Sequence, residues 1–298
     1  MILVAGSANL DFVVRASHIP RPGETVLGRD FQTFPGGKGA NQAIACARAG
    51  GSDTEMLLAL GADAFATPIE SSLNAAGVRT HIRRLRGEAT GTAFVCVAED
   101  GQNAITVAPG ANASLRPDHL PSLDRCTHLL MQLEIPVETV AAYARAARAK
   151  GVTVVLNAAP ARPLPAELLA HVDVLVVNEG ELAALAGEEG GIERCAERIA
   201  VPCVVVTLGE RGSRACEGGR WITQAAFPID AVDTTAAGDT FCGVLTAALG
   251  AQLDLPSALR EASAAGALAC SRLGAQASIP TRAELQSFLR SSRTAQNA

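Results

Sequence analysis

Short apolar runs with no helical period recur along this chain, separated by stretches with helical spacing, and few folds accommodate that alternation. Strands are expected at Ile2 to Gly6, Met56 to Leu60, His128 to Leu133, Thr153 to Asn157, Val172 to Val177 and Cys203 to Thr207. Apolar residues spaced three and four apart predict helices over Asn41 to Ala49, Val137 to Lys150, Glu179 to Ala186 and Ile192 to Ala200. Strands alternating with helices predict an α/β domain whose mainly parallel sheet is covered by helices. Helices over Pro256 to Leu273 and Thr281 to Leu289 follow, and a frayed tail from Ser291 to Ala298.

Two stretches break the rhythm. Residues Phe12 to Phe34 contain Pro20, Pro22 and Gly23 among β-prone residues, and Thr92 to Val107 reads as two strands joined at Asp100-Gly101. Together they predict a small sheet at one edge of the main domain, formed by insertions at about 12–34 and 90–108 and able to act as a lid. With 298 residues, 48% hydrophobic and 18% charged, the chain can form one large domain carrying that insertion, or two domains. The expectation is a single domain over 1–298.

Composition also excludes several functions. A net charge of −5 and no basic run longer than Arg83-Arg84 argue against a nucleic-acid partner. No segment offers about 20 uninterrupted apolar residues, and the start lacks a basic leader, so a cytoplasmic chain with no membrane partner is expected. The eight cysteines form no C-x-x-C pair and the five histidines no metal-ligand spacing. Reduced core thiols are expected.

Within this frame the run Asp233 to Gly243 carries the most chemistry. Phe241, Val244, Leu245, Ala248 and Leu249 have helical spacing, whereas Ala226 to Val232 do not, so Ala236, Ala237 and Gly238 fall at a helix start. Opening helix amides lack intrahelical acceptors and sit at the positive end of the dipole, so this turn can hold anionic oxygen. Asp239 is placed to accept a proton from a hydroxyl attacking a bound phosphoryl group. The same residues are compatible with a plain helix-start carboxylate and tight packing.

A second constellation lies near the N-terminus. Asn9 and Asp11, two apart, leave one face of an extended chain. Pro35 to Asn41 is a glycine-rich loop gathering Gly37, Lys38 and Asn41, and it is not a Walker A loop because Gly39 follows the lysine. Amides, a carboxylate and an ammonium suit a polyhydroxylated ligand such as a sugar. Turn chemistry is the alternative for each. Glu134, Asn178 with Glu181, and Thr207 to Gly212 end three further strands, where ligands of parallel sheets lie. Asn178 to Glu181 also fits a capping box.

With these residues in view, the chain resembles the ribokinase (PfkB) family of carbohydrate kinases over almost its whole length. The matching motifs are Gly6 to Asp11, Pro22 to Thr25, Gly36 to Asn41, Met131 to Glu134, Asn157 to Pro160, Asn178 to Glu181 and Asp233 to Gly243. The resemblance implies a three-layer α/β/α domain with a small β-sheet lid, and an ATP-dependent kinase acting on the primary hydroxyl of a small sugar, D-ribose at O5. A kinase for another sugar, a sugar acid or a nucleoside is the neighbouring alternative, and a non-catalytic sensor a more remote one. By resemblance, Asn9, Asp11, Gly37, Lys38, Asn41 and Glu134 hold the sugar, Asp239 is the base, and Ala236, Ala237 and Gly238 form the anion hole. Asn178 and Glu181 lie near the phosphates and their Mg2+, with Thr207, Leu208, Gly209, Glu210, Arg211, Gly212 and Ser263 around the nucleotide. A monovalent cation, K+, is implied at Asp233, Thr235, Ala269, Arg272, Gly274 and Ser278, and a homodimer through the lid sheet. Cys242 and Pro109 depart from the family pattern.

Overall fold

The computed structural model describes residues 1–187 and 190–296. Its strands are β1 (Ile2–Ala5), β2 (Asn9–Ala16), β3 (Arg29–Gly36), β4 (Thr54–Gly61), β5 (Arg79–Leu85), β6 (Gly91–Ala98), β7 (Asn103–Ala108), β8 (His128–Met131), β9 (Thr153–Asn157), β10 (Val174–Asn178), β11 (Cys203–Thr207), β12 (Ser213–Glu217) and β13 (Arg220–Gln224). A nine-stranded sheet runs β13-β12-β11-β10-β9-β8-β1-β4-β5, parallel from β11 to β5 and antiparallel at β12 and β13. This is the mainly parallel sheet that the alternating pattern predicts.

Period-2 side chains divide the core between the two faces of that sheet. Ile2, Val4, Leu130, Val155, Val176 and Val205 join one buried cluster with the helices Lys38–Ile44, Ala66–Ala75, Ala237–Gly250 and Leu255–Cys270. Leu3, Ala5, Leu129, Met131, Leu156, Val177 and Val206 join the other, against Val137–Ala149 and Glu179–Ala186. Burial on both faces makes the central strands apolar throughout, and three layers result.

The four-stranded second sheet has the order β3-β2-β6-β7. Its strand β2 starts four residues beyond the end of β1, separated only by Gly6, Ser7 and Ala8. Asn9 and Asp11 therefore sit at the root of this sheet, next to the carboxyl ends of the parallel strands.

Three strands of the large sheet escape the sequence pattern. Strand β5 (Arg-Thr-His-Ile-Arg-Arg-Leu) is an edge strand whose charges find partners on the neighbouring elements: Arg79 and His81 bond Glu55, and Arg84 bonds Glu70. Charged edges block further strand pairing, so such strands lack apolar alternation. Strands β12 and β13 form a polar hairpin at the opposite edge. The glycine-rich loop enters its helix earlier than expected, at Lys38, and the last turn, Ala45–Ala49, is a π-helix. The tail expected to fray is helical through Gln296, and its last two residues lie outside the described residues.

Candidate active site

The carboxyl ends of β1, β8, β9, β10 and β11 line up by register, with Ala5 beside Met131, Met131 beside Leu156, and Asn178 beside Thr207. The glycine-rich loop lies flat across the end of β1. Gly37 has φ 88°, and a Cβ there would come within 2.8 Å of the Ala8 backbone; one on Gly39 would reach 2.7 Å from Ser7. Only glycine permits this approach. The Lys38 amide then donates to Glu134 at 3.2 Å, and the Ser7 hydroxyl donates to the same carboxylate. Asn112, buried, donates to Asn9 Oδ1 at 2.8 Å and brackets Ala8 through its amide and carbonyl.

Asp239 occupies the third helical position of Ala237–Gly250 and is 9% exposed. Its Oδ2 accepts from Asn41 Nδ2 and its Oδ1 from Gln42 Nε2, both at 2.9 Å. Asn41 in turn accepts from Gln276 Nε2 at 3.1 Å, so its carboxamide is oriented on Asp239. The two motifs that the sequence carries far apart thus meet at one carboxylate.

Asp239 also lines a cleft of about 230 Å³ with Lys38, Asn157, Asn178, Glu181, Thr207, Ala236, Gly238 and Cys242. Asn9, Asp11, Gly37, Asn41 and Glu134 are outside this lining; Asn41 joins it by its bond to Asp239 and Glu134 by its bond from the Lys38 amide. Ala236 is left-handed, φ 59°, which costs a non-glycine residue roughly 1–2 kcal/mol and turns the chain sharply into the helix. No side chain caps this helix start, and a Cβ on Gly238 would meet nothing within 4 Å, so the turn is open to a ligand.

The cleft is rich in negative charge. Burial, then the charges of Glu134 and Asp239, push the Asp11 carboxyl up to about 7. Among the described residues its buried Oδ1 has no hydrogen-bond partner, and leaving such an oxygen unsatisfied costs roughly 1–3 kcal/mol. The Asp239 charge raises the Lys38 ammonium above its ordinary value against burial, with help from Glu134 and Glu181. Glu181 is raised by burial, an effect that the Asn178 amide and Lys38 oppose. Cys242 is raised well above the usual thiol value by burial and then by Asp239, so it stays a neutral wall of the cleft.

The pfkB family carbohydrate kinase model matches residues 1–282. A ribokinase of Bacillus subtilis is 39% identical over 97% of this chain and 99% of its own length. The solved ribokinase of Thermotoga maritima superposes with a TM-score of 0.91 at 36% identity, covering 97% of this chain and 99% of that one. A ribokinase of Arabidopsis thaliana, solved with ribose and ATP, gives 0.89 at 35% identity, covering 97% and 98%. The chain belongs to the pfkB family of carbohydrate kinases. It is an ATP-dependent carbohydrate kinase.

Other candidate residues of this kinase have mixed placements. Asn178 and Glu181 form a reciprocal capping box with both bonds at 2.8 Å, and still line the cleft. Beyond Thr207, the turn Gly209–Arg211 is pinned by an ion pair of Arg211 with Glu179 and by the Leu208 amide on Gly212. Ser263 meets Ser213 at 3.2 Å and does not line the cleft. Asp233 joins two loops: it accepts from the Thr235 amide and hydroxyl and from the Gly274 amide. Burial opposes its charge, and these bonds outweigh burial, leaving its carboxyl below the usual range. Arg272 pairs with Glu284 and Ser278 bonds the Ala275 carbonyl, so their side chains are engaged elsewhere.

Sequence reasoning missed Gln42, Gln132 and Gln276, and did not recognise the clamping role of Asn112. Each acts through partners remote in the chain, and the usable signals were the position of Gln42 next to Asn41 and that of Gln132 inside the matched run Met131 to Glu134.

The raised Asp11 carboxyl has a consequence for stability. The native state holds this proton more tightly than the unfolded chain, so the associated stability is complete below the ordinary aspartate value near pH 4 and is lost as pH rises through about 7. Asp11→Asn, which cannot ionise, is expected to gain in Tm relative to the unaltered protein between about pH 5 and about pH 8. Thermal unfolding at both pH values checks this; a difference in Tm that does not change with pH would refute it.

Proposed function

We propose that this kinase transfers the γ-phosphoryl group of ATP to the primary hydroxyl of D-ribose, at O5, with Asp239 as the base and the turn of Ala236, Ala237 and Gly238 as the anion hole. The observation that carries this reading is the position of Asp239, bonded to Asn41 and Gln42 of the glycine-rich loop on one side and facing the open helix start on the other. The relative from Arabidopsis, solved with ribose and ATP, supports the pair of substrates.

The sugar side consists of Asn9, Asp11, Gly37, Lys38, Asn41 and Glu134. Asp11 offers an unpartnered buried oxygen and Glu134 a carboxylate, both suited to sugar hydroxyls. Phosphoryl transfer spreads charge over the transferred oxygens, so positioning and electrostatics outweigh base strength. Lys38 and the amides after Ala236 supply the positive field. Mg2+ prefers one or two carboxylates with phosphate oxygens and water, and Glu181, kept in the cleft by its bond from the Asn178 amide, fits that donor set. When bound, the ion neutralises phosphate charge. Asn178, Thr207 to Gly212 and Ser263 form the nucleotide side.

The joined loops at Asp233, Thr235 and Ala269 to Ser278 would hold a monovalent cation through backbone carbonyls, since their side chains are already bonded to protein groups. The small sheet over about 12–34 and 90–108 would act as a lid that excludes water from the transfer. Its exposed Ile105 and Val107, two apart on β7 and in register with Val95 and Ala93, lie on one face of the sheet, opposite Phe94, and we assign that apolar face to a second copy of the chain.

Four measurements test these readings. Purified protein given ATP and Mg2+ is expected to phosphorylate ribose in preference to other pentoses, hexoses, sugar acids and nucleosides, with NMR locating the phosphate at O5. Asp239→Asn should bind both substrates and lose turnover by about 10²-fold or more, and an active Asn variant would remove the base. K+ should raise the rate above that in a bulky organic cation; equal rates would sink the cation site. Sedimentation should give a dimer that Ile105→Glu dissociates, and a monomer for the unaltered chain would refute the interface.

A further inference from the structure

Gln42 is fully buried on the helix Lys38–Ile44. Its amide nitrogen donates to Asp239 Oδ1 and to Asn157 Oδ1, each at 2.9 Å, and its Oε1 accepts from Gln132 Nε2 at 2.6 Å. These partners fix which end of the amide is which. Turned over, Gln42 would set its oxygen against a carboxylate and a carboxamide oxygen and its nitrogen against the Gln132 nitrogen. Asn157 is fixed in the same way, because its Nδ2 donates to the Val176 carbonyl at 3.1 Å. Gln132 is fully buried too, and its own Oε1 has no partner.

Packing alone gives no reason for this chain of amides. An unbranched apolar side chain would fill the place of Gln42 without burying polar groups, and the orphan Gln132 oxygen is a cost that an apolar core would avoid. What the amides achieve is a single direction. Gln132 faces Gln42, Gln42 faces Asp239, and the carboxylate is held at Oδ1 while Asn41 holds Oδ2.

We propose that Gln42, locked from behind by Gln132, is a positioning residue for Asp239: it fixes the carboxylate so that its remaining lone pairs face the cleft and the sugar hydroxyl. This role rests on the reading of Asp239 as the base. Gln42 is buried behind Asp239 and does not line the cleft, so its effect is on kcat and not on KM.

Gln42→Met keeps the length of the side chain and removes the donor. The expected result is a fall in kcat of about 10²-fold, the scale of a misplaced reacting group, with the KM for ribose and for ATP within about threefold of the unaltered enzyme. Gln132→Met, which contacts neither Asp239 nor the cleft, should lower kcat about tenfold, and the double variant should be no worse than Gln42→Met, because groups acting as one unit are non-additive. Added to Asp239→Asn, Gln42→Met should cost nothing further. Thermal unfolding accompanies each variant, and if Gln42→Met does not fold, Gln132→Met carries the same test. Unchanged kcat in the folded variants, a loss expressed in KM, or a full additional loss on top of Asp239→Asn would each overturn the positioning role. An active Asp239→Asn would instead remove the base itself, so the two failures are distinguishable.

Discussion

The site depends on how closely two helices approach. A Cβ on Gly243 would come within 2.6 Å of both the Gln42 carbonyl and the Ala45 side chain, so the helix Ala237–Gly250 can touch the helix of the glycine-rich loop only because position 243 has no side chain. Ala45 and Cys46 face it, and the Cys46 thiol donates to the Gly243 carbonyl at 3.2 Å. That contact brings Asn41 and Gln42 within hydrogen-bond reach of Asp239, one helical turn earlier. Small residues here do more than fill space: a larger side chain would separate the glycine-rich loop from Asp239.

Charge explains why the cleft has its composition. The charges of Glu134, Glu181 and Asp239 act on one ammonium, Lys38, those of Glu134 and Asp239 act also on Asp11, and burial weakens the ability of water to separate them. Burial raises the Asp11 carboxyl first, and the like charges of Glu134 and Asp239 add to it, so Asp11 moves towards neutrality. A neutral polyol entering the site adds no charge and supplies donors to the carboxylates. An anionic nucleotide would be repelled by the same groups, unless it approaches from the helix start and Lys38 with a bound cation. The asymmetry of the cleft matches two different ligands better than two similar ones.

How much of this was legible in the sequence depended on whether the signal was local. The central strands carry apolar residues on both faces, and Ile2 to Ala5, Thr153 to Asn157 and Cys203 to Thr207 were readable because burial on both sides leaves no polar interruption. Strand β5 was not readable, since its form comes from pairing with β4 and its side chains from edge exposure. Asp239 and Asn41 lie within motifs whose chemistry can be argued from neighbours. Gln132 lies inside the matched run Met131 to Glu134 and Gln42 just beyond Gly36 to Asn41, but neither run says what an amide there would do, and Gln276 lies in no motif. An amide reads as a solvated side chain until tertiary contact buries it, and the partners of Gln42 are scattered across the chain at Gln132, Asn157 and Asp239. Asn178 and Glu181 were legible in two ways, as a capping box and as cleft residues, and the geometry satisfies both because the box sits at the end of β10 where the cleft opens.

The small sheet is secured to the body at its root and again at Phe12. At its root, Asn112 bonds Ala8 and Asn9, while Gly91 leaves no room for a Cβ between Asn112 and Asn9, so the first residues of β2 and β6 are locked to the body. Towards the outer strands, Phe12 stacks on Phe31 and Phe94 with ring centroids 6.1 and 5.4 Å apart, and β7 is exposed throughout. Phe12 also meets Phe65 edge-on, with ring centroids 5.3 Å apart, and packs against the main core. The body therefore holds β2 at Asn9 and again at Phe12, and Asp11, with its unpartnered oxygen, is fixed between these two anchors at the root of the small sheet.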